Sequence, residues 1–449
     1  MVKMEQKLKS LRIDCLYLFI IMFVGFLLRY FIYIKQKYIM NIDSYAYLYR
    51  IKEIANWKGR EFLIDIGKLL GENGFIIFLM VVSILSLGLF YILCRRYTTK
   101  TASLIAGILF AISPLVFFNN QFGITDKNVP TIFMIILCML LYSIKNRIIR
   151  FITLIPALLF FRYVWSGWYA MFILIFAGFA FESILRKELR MTLVYGIISV
   201  IGFILGWCRF YSLVEPVNRH LISELSPIWN LPPFAEYIVI IIVWILMFTK
   251  LRLEKKNTEK LIKYVFLYIG LILTFFYMCF VFRINIYFII FLYLWVAILL
   301  DDLKYRWMIK SLYVIGIFSL IIFLSVNIYM REPEMNDGLK EVMDYVNNLE
   351  YDCIVGLWDM GHIYQYYAPD KNVYYSASAN NYKEQLEYMV YGNKSTNCII
   401  IYSDEDLDAL NYMLVFENEN ISKEEYWVSK KEPIFTSSYK DNNYYVVVN

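Results

Sequence analysis

At 449 residues with 60% hydrophobic and 19% aromatic content, the chain is too apolar for a soluble globular protein and too long for a single membrane anchor. The net charge of +6 is unevenly spread. Basic clusters separate apolar stretches and suit anionic lipid headgroups, whereas the segment from Arg331 onward is acidic and requires no nucleic-acid partner.

Apolar stretches of about 20 residues recur along the first three quarters. Roughly eleven spans are expected, near 14–34, 75–94, 102–118, 128–144, 151–165, 167–184, 191–211, 234–250, 262–282, 284–300 and 309–330. The first lacks a small-residue cleavage site after Tyr38, so it reads as a retained span and not a signal peptide. With the amino terminus in the cytoplasm, Lys3, Lys7, Lys9 and Arg12 lie inside. Arg95, Arg96 and Lys100 follow on that side, then Lys145, Arg147 and Arg150, then Arg186, Lys187 and Arg190. Lys250, Arg252, Lys255, Lys256 and Lys260 continue the series, with Lys304 and Arg306 last. The opposite face carries few cations: Lys127, Arg162, Arg209, Arg219 and Arg283. That asymmetry satisfies the positive-inside rule, and an odd number of spans then exports the carboxy-terminal region.

The expected fold is a polytopic α-helical membrane protein, with about 11–13 transmembrane helices, followed by a small exported α/β domain. Residues 1–330 form the multi-span core, with external loops at 35–73, 119–127 and 212–233, and residues 331–449 form the exported domain. In the first loop, Tyr45, Leu48, Ile51, Ile54 and Ala55 recur at helical spacing, which predicts an amphipathic helix at the membrane surface. In the third, Pro216, Pro227, Pro232 and Pro233 exclude a regular helix.

The exported domain alternates between helix and strand patterns. Helices are expected at 335–349, from Gly361, at 382–391 and at 404–414; strands are expected at 353–358, 372–376, 398–402 and 444–448. Such alternation predicts a sheet that is at least partly parallel, with functional groups at the carboxyl ends of strands. Cys353 and Cys398 each lie in a strand pattern. They pair if their strands are neighbours and otherwise are buried thiols. The other cysteines show no metal-ligand spacing.

Polar groups gather on the expected outer face. Asp43 opens the first loop, where it also suits a helix N-cap; Asp126 and Asn128 stand at the mouth of a span; Glu224 follows His220 in the proline-rich loop; Arg283 edges a late span. Carboxylates from separate loops make sense together if they hold a hard divalent cation against a phosphate. After the last span comes Leu357-Trp358-Asp359-Met360-Gly361, which closes a short apolar strand before an aromatic-rich helix that begins near His362.

This last string resembles the WWDYG acceptor-recognition motif of the archaeal-type oligosaccharyltransferase catalytic subunit family, membrane glycosyltransferases that move a lipid-linked glycan onto asparagine. Asp43-Ser44-Tyr45-Ala46-Tyr47 is similar to the family's first-loop Asp and Tyr-rich string. Gly123-Ile124-Thr125-Asp126-Lys127-Asn128 resembles its second-loop motif, and Ile222-Ser223-Glu224 resembles its flexible-loop Glu. Arg283 matches its late donor-contacting Arg. The pieces occur in family order. The chain departs from the pattern at Leu357 and Met360, where the family has Trp and Tyr, and at Asn128, where an acid or His is usual. It also lacks a recognisable later helical motif for the acceptor hydroxyl.

The resemblance implies a metal-dependent transferase that inverts the anomeric carbon. Its donor is a polyisoprenyl-(pyro)phosphate-linked glycan, and its acceptor is a polypeptide carrying Asn-x-Ser/Thr. Asp43, Asp126 and Asn128 would hold Mn²⁺ or Mg²⁺. Asp43, Glu224 and Arg283 would be catalytic, with Arg283 and His220 on the donor. Trp358, Asp359, Met360 and Gly361 would bind the acceptor. A monomeric, single-subunit, multi-pass protein of the cell membrane is implied, with a cytoplasmic amino terminus and an extracellular carboxy-terminal domain. Two alternatives stay open: a lipid-phosphate-sugar transferase with a glycan or lipid acceptor, and a non-catalytic paralogue that binds glycan-lipids. Asn393-Lys394-Ser395 and Asn420-Ile421-Ser422 match the acceptor pattern, and chance accounts for them in an Asn-rich chain.

Overall fold

The structure is a computed structural model that describes residues 2–35, 42–53, 62–113, 116–117, 122, 127–165, 167–213, 243, 247–248, 250–251, 258–278, 285–302, 335–356, 360–374, 398–404, 432–439 and 442–448. The chain divides into two compact units. One comprises Met1–Lys35, Ile77–Phe122 and Lys127–Met330; the other gathers Gln36–Ile76 with Arg331–Asn449.

The first unit is helical. It contains α1 (Val2–Lys35), the greater part of α3 (Phe62–Tyr97), α4 (Lys100–Ile112), α5 (Asn128–Tyr142), α6 (Arg147–Val164), α7 (Trp168–Leu185), α8 (Leu189–Leu213), α9 (Thr258–Met278) and α10 (Asn285–Asp302). The expected span at 309–330 lies outside the described residues, as does most of that at 234–250. Among the described residues, Ser10–Phe31, Phe62–Tyr97 and Trp168–Leu185 are long and apolar enough to cross a bilayer; the other apolar helices are shorter. Outward-facing Phe19 and Phe23 on α1 and Leu193, Ile197 and Ile204 on α8 are exposed large apolar side chains, as lipid contact requires.

Charge is handled by pairing. Asp14 on α1 accepts hydrogen bonds from Tyr91 (2.9 Å) and Arg95 Nε (2.8 Å), and Lys100 Nζ lies 3.2 Å from its other oxygen. Glu182 and Arg150 are both buried and 2.8 Å apart, and Arg186 reaches the second Glu182 oxygen at 3.1 Å. Arg147 bonds Glu188 at 2.5 Å. A lone charge in an apolar setting would cost several kcal/mol, and buried Glu182 and Arg150 avoid it by serving as each other's counter-ion. The basic clusters that the sequence assigns to one membrane face thus meet acids that are themselves on the helices.

The second unit contains α2 (Ile42–Glu53), the start of α3, α11 (Asp337–Asn347), α12 (Gly361–Tyr367) and five strands: β1 (Cys353–Val355), β2 (Asn372–Tyr374), β3 (Cys398–Ser403), β4 (Phe435–Tyr439) and β5 (Asn442–Val448). The sheet order is β2-β1-β3-β5-β4. β1 runs parallel to both β2 and β3, while β5 is antiparallel to β3 and to β4. β1 and β3 are wholly buried, which explains their unbroken apolar sequence. Cys353 and Cys398 stand opposite each other in register, with Cα atoms 4.6 Å apart, and form a disulfide. Asn336 caps α11 by accepting from Leu339 N at 2.9 Å, and Leu339, Val342, Met343 and Val346 cover the sheet at helical spacing.

Strand β4 is not anticipated by the sequence reading. Its Phe435-Thr436-Ser437-Ser438-Tyr439 is polar, and it pairs through a tight connection, with Tyr439 opposite Asn442. Two residues between strand-like runs are a hairpin signal that the hydrophobic pattern alone conceals. The helix expected at 382–391 falls outside the described residues, as does that expected at 404–414 beyond Asp404.

Helix α3 bends at Gly71, whose φ of 71° and ψ of 172° leave the helical region. Only glycine tolerates that backbone, and nothing lies within 4 Å of where a Cβ would stand. The bend separates residues 62–70 from the apolar stretch whose start the sequence places near 75. Gly71→Ala should therefore destabilise through backbone strain alone, by about 1–3 kcal/mol. A lowered unfolding midpoint of the detergent-solubilised protein is the expected result, and an unchanged midpoint would contradict the bend.

Candidate functional site

The sheet order puts β1 between strands reached by opposite crossovers: the chain leaves β1 for β2 on one side, then returns to β3 on the other. The gap at the carboxyl ends of β1 and β3 is therefore a topological switch point, where open α/β sheets bind ligands. The Leu357–Gly361 string occupies this β1-to-α12 connection. Met360 is the residue before α12, its carbonyl accepts from Ile363 N (2.9 Å) and Tyr364 N (3.1 Å), and its side chain packs on the domain core. Gly361 is the first residue of α12.

Just upstream, Gly356 makes room for a ring. A Cβ there would lie 2.2 Å from Tyr364 Cε2, and Tyr364 is buried at 1% exposure. The aromatic of α12 thus seats directly on the backbone that leads into the string and fixes where the string begins.

Helix α2 packs onto α12 from the other side. Tyr45 is 1% exposed and joins the same apolar core as Leu339, Ile354, Ile363 and Ile399. Its ring meets Tyr366 edge-on at 5.4 Å and Tyr367 at 5.9 Å. Leu48 is fully buried. The amphipathic helix expected in the first loop is therefore present, but its apolar face is buried in protein, not laid on lipid. Aromatic residues downstream of the string supply the partner surface, which periodicity within α2 alone does not reveal.

Tyr366 Oη donates to Glu72 Oε1 at 2.5 Å. Burial and this carboxylate raise the Tyr366 pKa, so the hydroxyl stays protonated and donating across the physiological range. Burial likewise pushes the Tyr367 hydroxyl up. Lys52 Nζ stands 5.5 Å from the Tyr366 ring centre.

Asp43 is the second residue of α2, so it lies in the first turn and is not the N-cap that the sequence also allows. Asn128 is the first residue of α5, in the first unit. Asp126, His220, Glu224, Arg283, Trp358 and Asp359 lie outside the described residues. The structure thus joins the Asp43 helix with Met360 and Gly361 in one unit. Tyr45, Glu72, Tyr366 and Tyr367 are the residues sequence reasoning did not single out as a set. Their one signal was the density of tyrosine in both segments.

A cleft of about 690 Å³ is lined by Tyr351, Asp352, Asp370, Lys371 and Asn372. It opens at the amino ends of β1 and β2, the edge opposite the string, and Lys371 Nζ is occupied by the carbonyls of Leu349 (2.8 Å) and Tyr351 (2.9 Å). It is not the switch-point site. Among the described residues no three His, Cys, Asp or Glu side chains cluster as a metal site.

Architecture sets the class: a helical membrane protein carrying a mixed α/β domain in which β1 is followed by α12 beside the sheet switch point. No family model matches the sequence, and no curated protein matches it. Solved structures do match. The Archaeoglobus fulgidus oligosaccharyltransferase, tethered with an acceptor peptide containing the NVT sequon, superposes with a TM-score of 0.61 at 10% identity, over 96% of this chain and 74% of that one. Archaeal oligosaccharyltransferase AglB from the same organism, in complex with an inhibitory peptide and a dolichol-phosphate, gives 0.61 at 12% identity over 89% of this chain and 71% of that one. A complex of the Archaeoglobus fulgidus enzyme with Zn and sulfate gives 0.60 at 13% identity, over 90% and 70%. The chain has the fold of these archaeal oligosaccharyltransferases.

Gly356→Ala should cost about 1–3 kcal/mol by overpacking against Tyr364. Combining it with Tyr364→Leu should recover part of that loss in thermal unfolding, because the two side chains compete for one space. Fully additive losses would show that the ring does not seat there.

Proposed function

We propose that this chain is an oligosaccharyltransferase, a membrane glycosyltransferase that moves a glycan from a polyisoprenyl-(pyro)phosphate donor to the Asn of Asn-x-Ser/Thr. The observation that carries this reading is the burial of Tyr45 among Tyr366 and Tyr367. It brings a first-loop acid-bearing helix and the helix that follows the WWDYG-like string, more than three hundred residues apart in sequence, into one core within a fold shared with oligosaccharyltransferases. The ordered family-like motifs support it independently. The multi-pass arrangement, with a cytoplasmic amino terminus and an extracellular carboxy-terminal domain, rests on the distribution of Lys and Arg.

The donor set of Asp43, Asp126 and Asn128 is all oxygen, which fits a hard divalent cation such as Mn²⁺ or Mg²⁺. Bound there, the cation would supply positive charge against the negative charge that develops on the departing lipid phosphate. Arg283 and His220 add donors to the same phosphate oxygens. An amide nitrogen is a poor nucleophile because its lone pair is delocalised into the carbonyl. Asp43 and Glu224 accept hydrogen bonds from the acceptor NH₂, turn it and weaken that delocalisation. The nitrogen then bonds to the anomeric carbon as the carbon–oxygen bond to phosphate breaks, the phosphate departs with the lipid, one amide proton passes to a carboxylate that holds the NH₂, Asp43 or Glu224, and the configuration inverts. Asp359 accepts from the Ser or Thr hydroxyl, while Trp358, Met360 and Gly361 shape the wall around it.

The replacement of Trp and Tyr by Leu357 and Met360 favours, as a second reading, a transferase with the same donor chemistry and a glycan or lipid acceptor. Met360 packs on the core, which leaves less of it for a peptide.

Asp43→Ala or Asp126→Ala should each lower glycan transfer in membranes by roughly 10²-fold or more while the folded protein accumulates normally. Chelation should do the same to the wild type, with recovery on adding Mn²⁺ or Mg²⁺. Unchanged transfer in both variants would remove these residues from the site.

A further inference from the structure

The firmest polar tie between the string helix and the first-loop segment takes no part in the proposed chemistry. Tyr366 on α12 donates to Glu72 at 2.5 Å, and Glu72 directly follows the Gly71 bend. The Tyr366 ring is in turn clasped by three groups: Tyr45 edge-on at 5.4 Å, Tyr367 edge-on at 5.1 Å, and Lys52 Nζ at 5.5 Å. Tyr45 and Lys52 both belong to α2, the helix whose first turn contains Asp43. A hydrogen bond to a carboxylate is stronger than one between neutral groups, and it fixes the orientation of the ring that carries the hydroxyl. An edge-on aromatic contact depends on that orientation. Rotating or releasing Tyr366 therefore loosens the seat of Tyr45 and, with it, the pose of α2.

We infer that Glu72 and Tyr366 are positioning residues, a latch that holds the Asp43-bearing helix against the helix leaving the Leu357–Gly361 string. The helix that bears Asp43 and the helix that follows the string are then set as one body. The inference rests on the proposed transferase reading for its catalytic consequence, but the latch itself is a structural claim. Neither residue is among the groups proposed to contact the substrate. Their effect is on where Asp43 sits when the acceptor amide arrives, a placement on which small displacements act strongly.

Hydrogen–deuterium exchange on the full chain in detergent, paired with transfer kinetics, tests this. Tyr366→Phe keeps the ring and removes only the hydroxyl. It should raise exchange across residues 42–53 by roughly tenfold, the loss expected for a charged hydrogen bond. It should also lower kcat for transfer while the acceptor KM stays within about twofold, because the string is untouched. Glu72→Gln retains an acceptor oxygen and should fall between wild type and Tyr366→Phe. Ser437→Ala is the control: it removes another side-chain tie in the same unit, the 2.7 Å bond from Ser437 Oγ to Glu341 Oε2. It should leave both readings at residues 42–53 and kcat unchanged.

Exchange at 42–53 that does not respond to Tyr366→Phe overturns the latch. Exchange that responds without any fall in kcat, or an equal fall in kcat in Ser437→Ala, overturns the positioning role. A wild-type chain that transfers no glycan removes the transferase reading instead, and exchange at 42–53 then decides the latch alone.

Discussion

The second unit depends on one burial event between distant parts of the chain. Tyr45 of α2 enters a core otherwise built from α11, α12 and the sheet, and Leu48, one turn on, is fully buried. Burying a large apolar side chain of this kind contributes about 1.5–3 kcal/mol. Without that surface to cover, α2 would be a short helix of 12 residues, marginal on its own in water. The unit is thus not a domain appended after the helical region. It is completed by a segment that precedes the greater part of that region in sequence.

This constraint explains why the string helix α12 is so rich in tyrosine. Tyr364 faces inward and sits on Gly356, whereas Tyr366 and Tyr367 face α2. Tyrosine suits both positions, because it offers a large apolar face for packing and a hydroxyl that must find a partner when half-buried. The disulfide between Cys353 and Cys398 joins β1 to β3 on either side of the switch point, so the strand that leads into the string is held at both its edges.

Much of this was legible in the sequence. The apolar stretches marked the helices, and the alternation after Arg331 marked a partly parallel sheet with the string at a strand end. Helix α2 was visible in the spacing of Tyr45, Leu48 and Ile51. Its partner was not, because periodicity reports that a face is buried and says nothing of what covers it. Strand β4 was hidden because its residues are polar and its place is set by pairing with β5 rather than by burial. The disulfide could be posed but not decided, since adjacency of β1 and β3 is a property of the sheet order. Within the candidate site, Asp43 could be assigned to a helix start but not to a unit. Its tie to the helix that follows the string runs through Tyr45, Tyr366 and Glu72, which no motif spacing in the sequence links to one another.

The central claim is transfer to asparagine, and it separates from its rivals at the acceptor. The decisive measurement is mass-spectrometric detection of glycan on synthetic peptides incubated with the membrane-embedded protein and host lipid-linked glycan. The peptides differ only in Asn-Ala-Thr against Gln-Ala-Thr. The account predicts glycan on the Asn peptide and none on the Gln peptide. Equal labelling of the two, or glycan found only on lipid or carbohydrate, would contradict it.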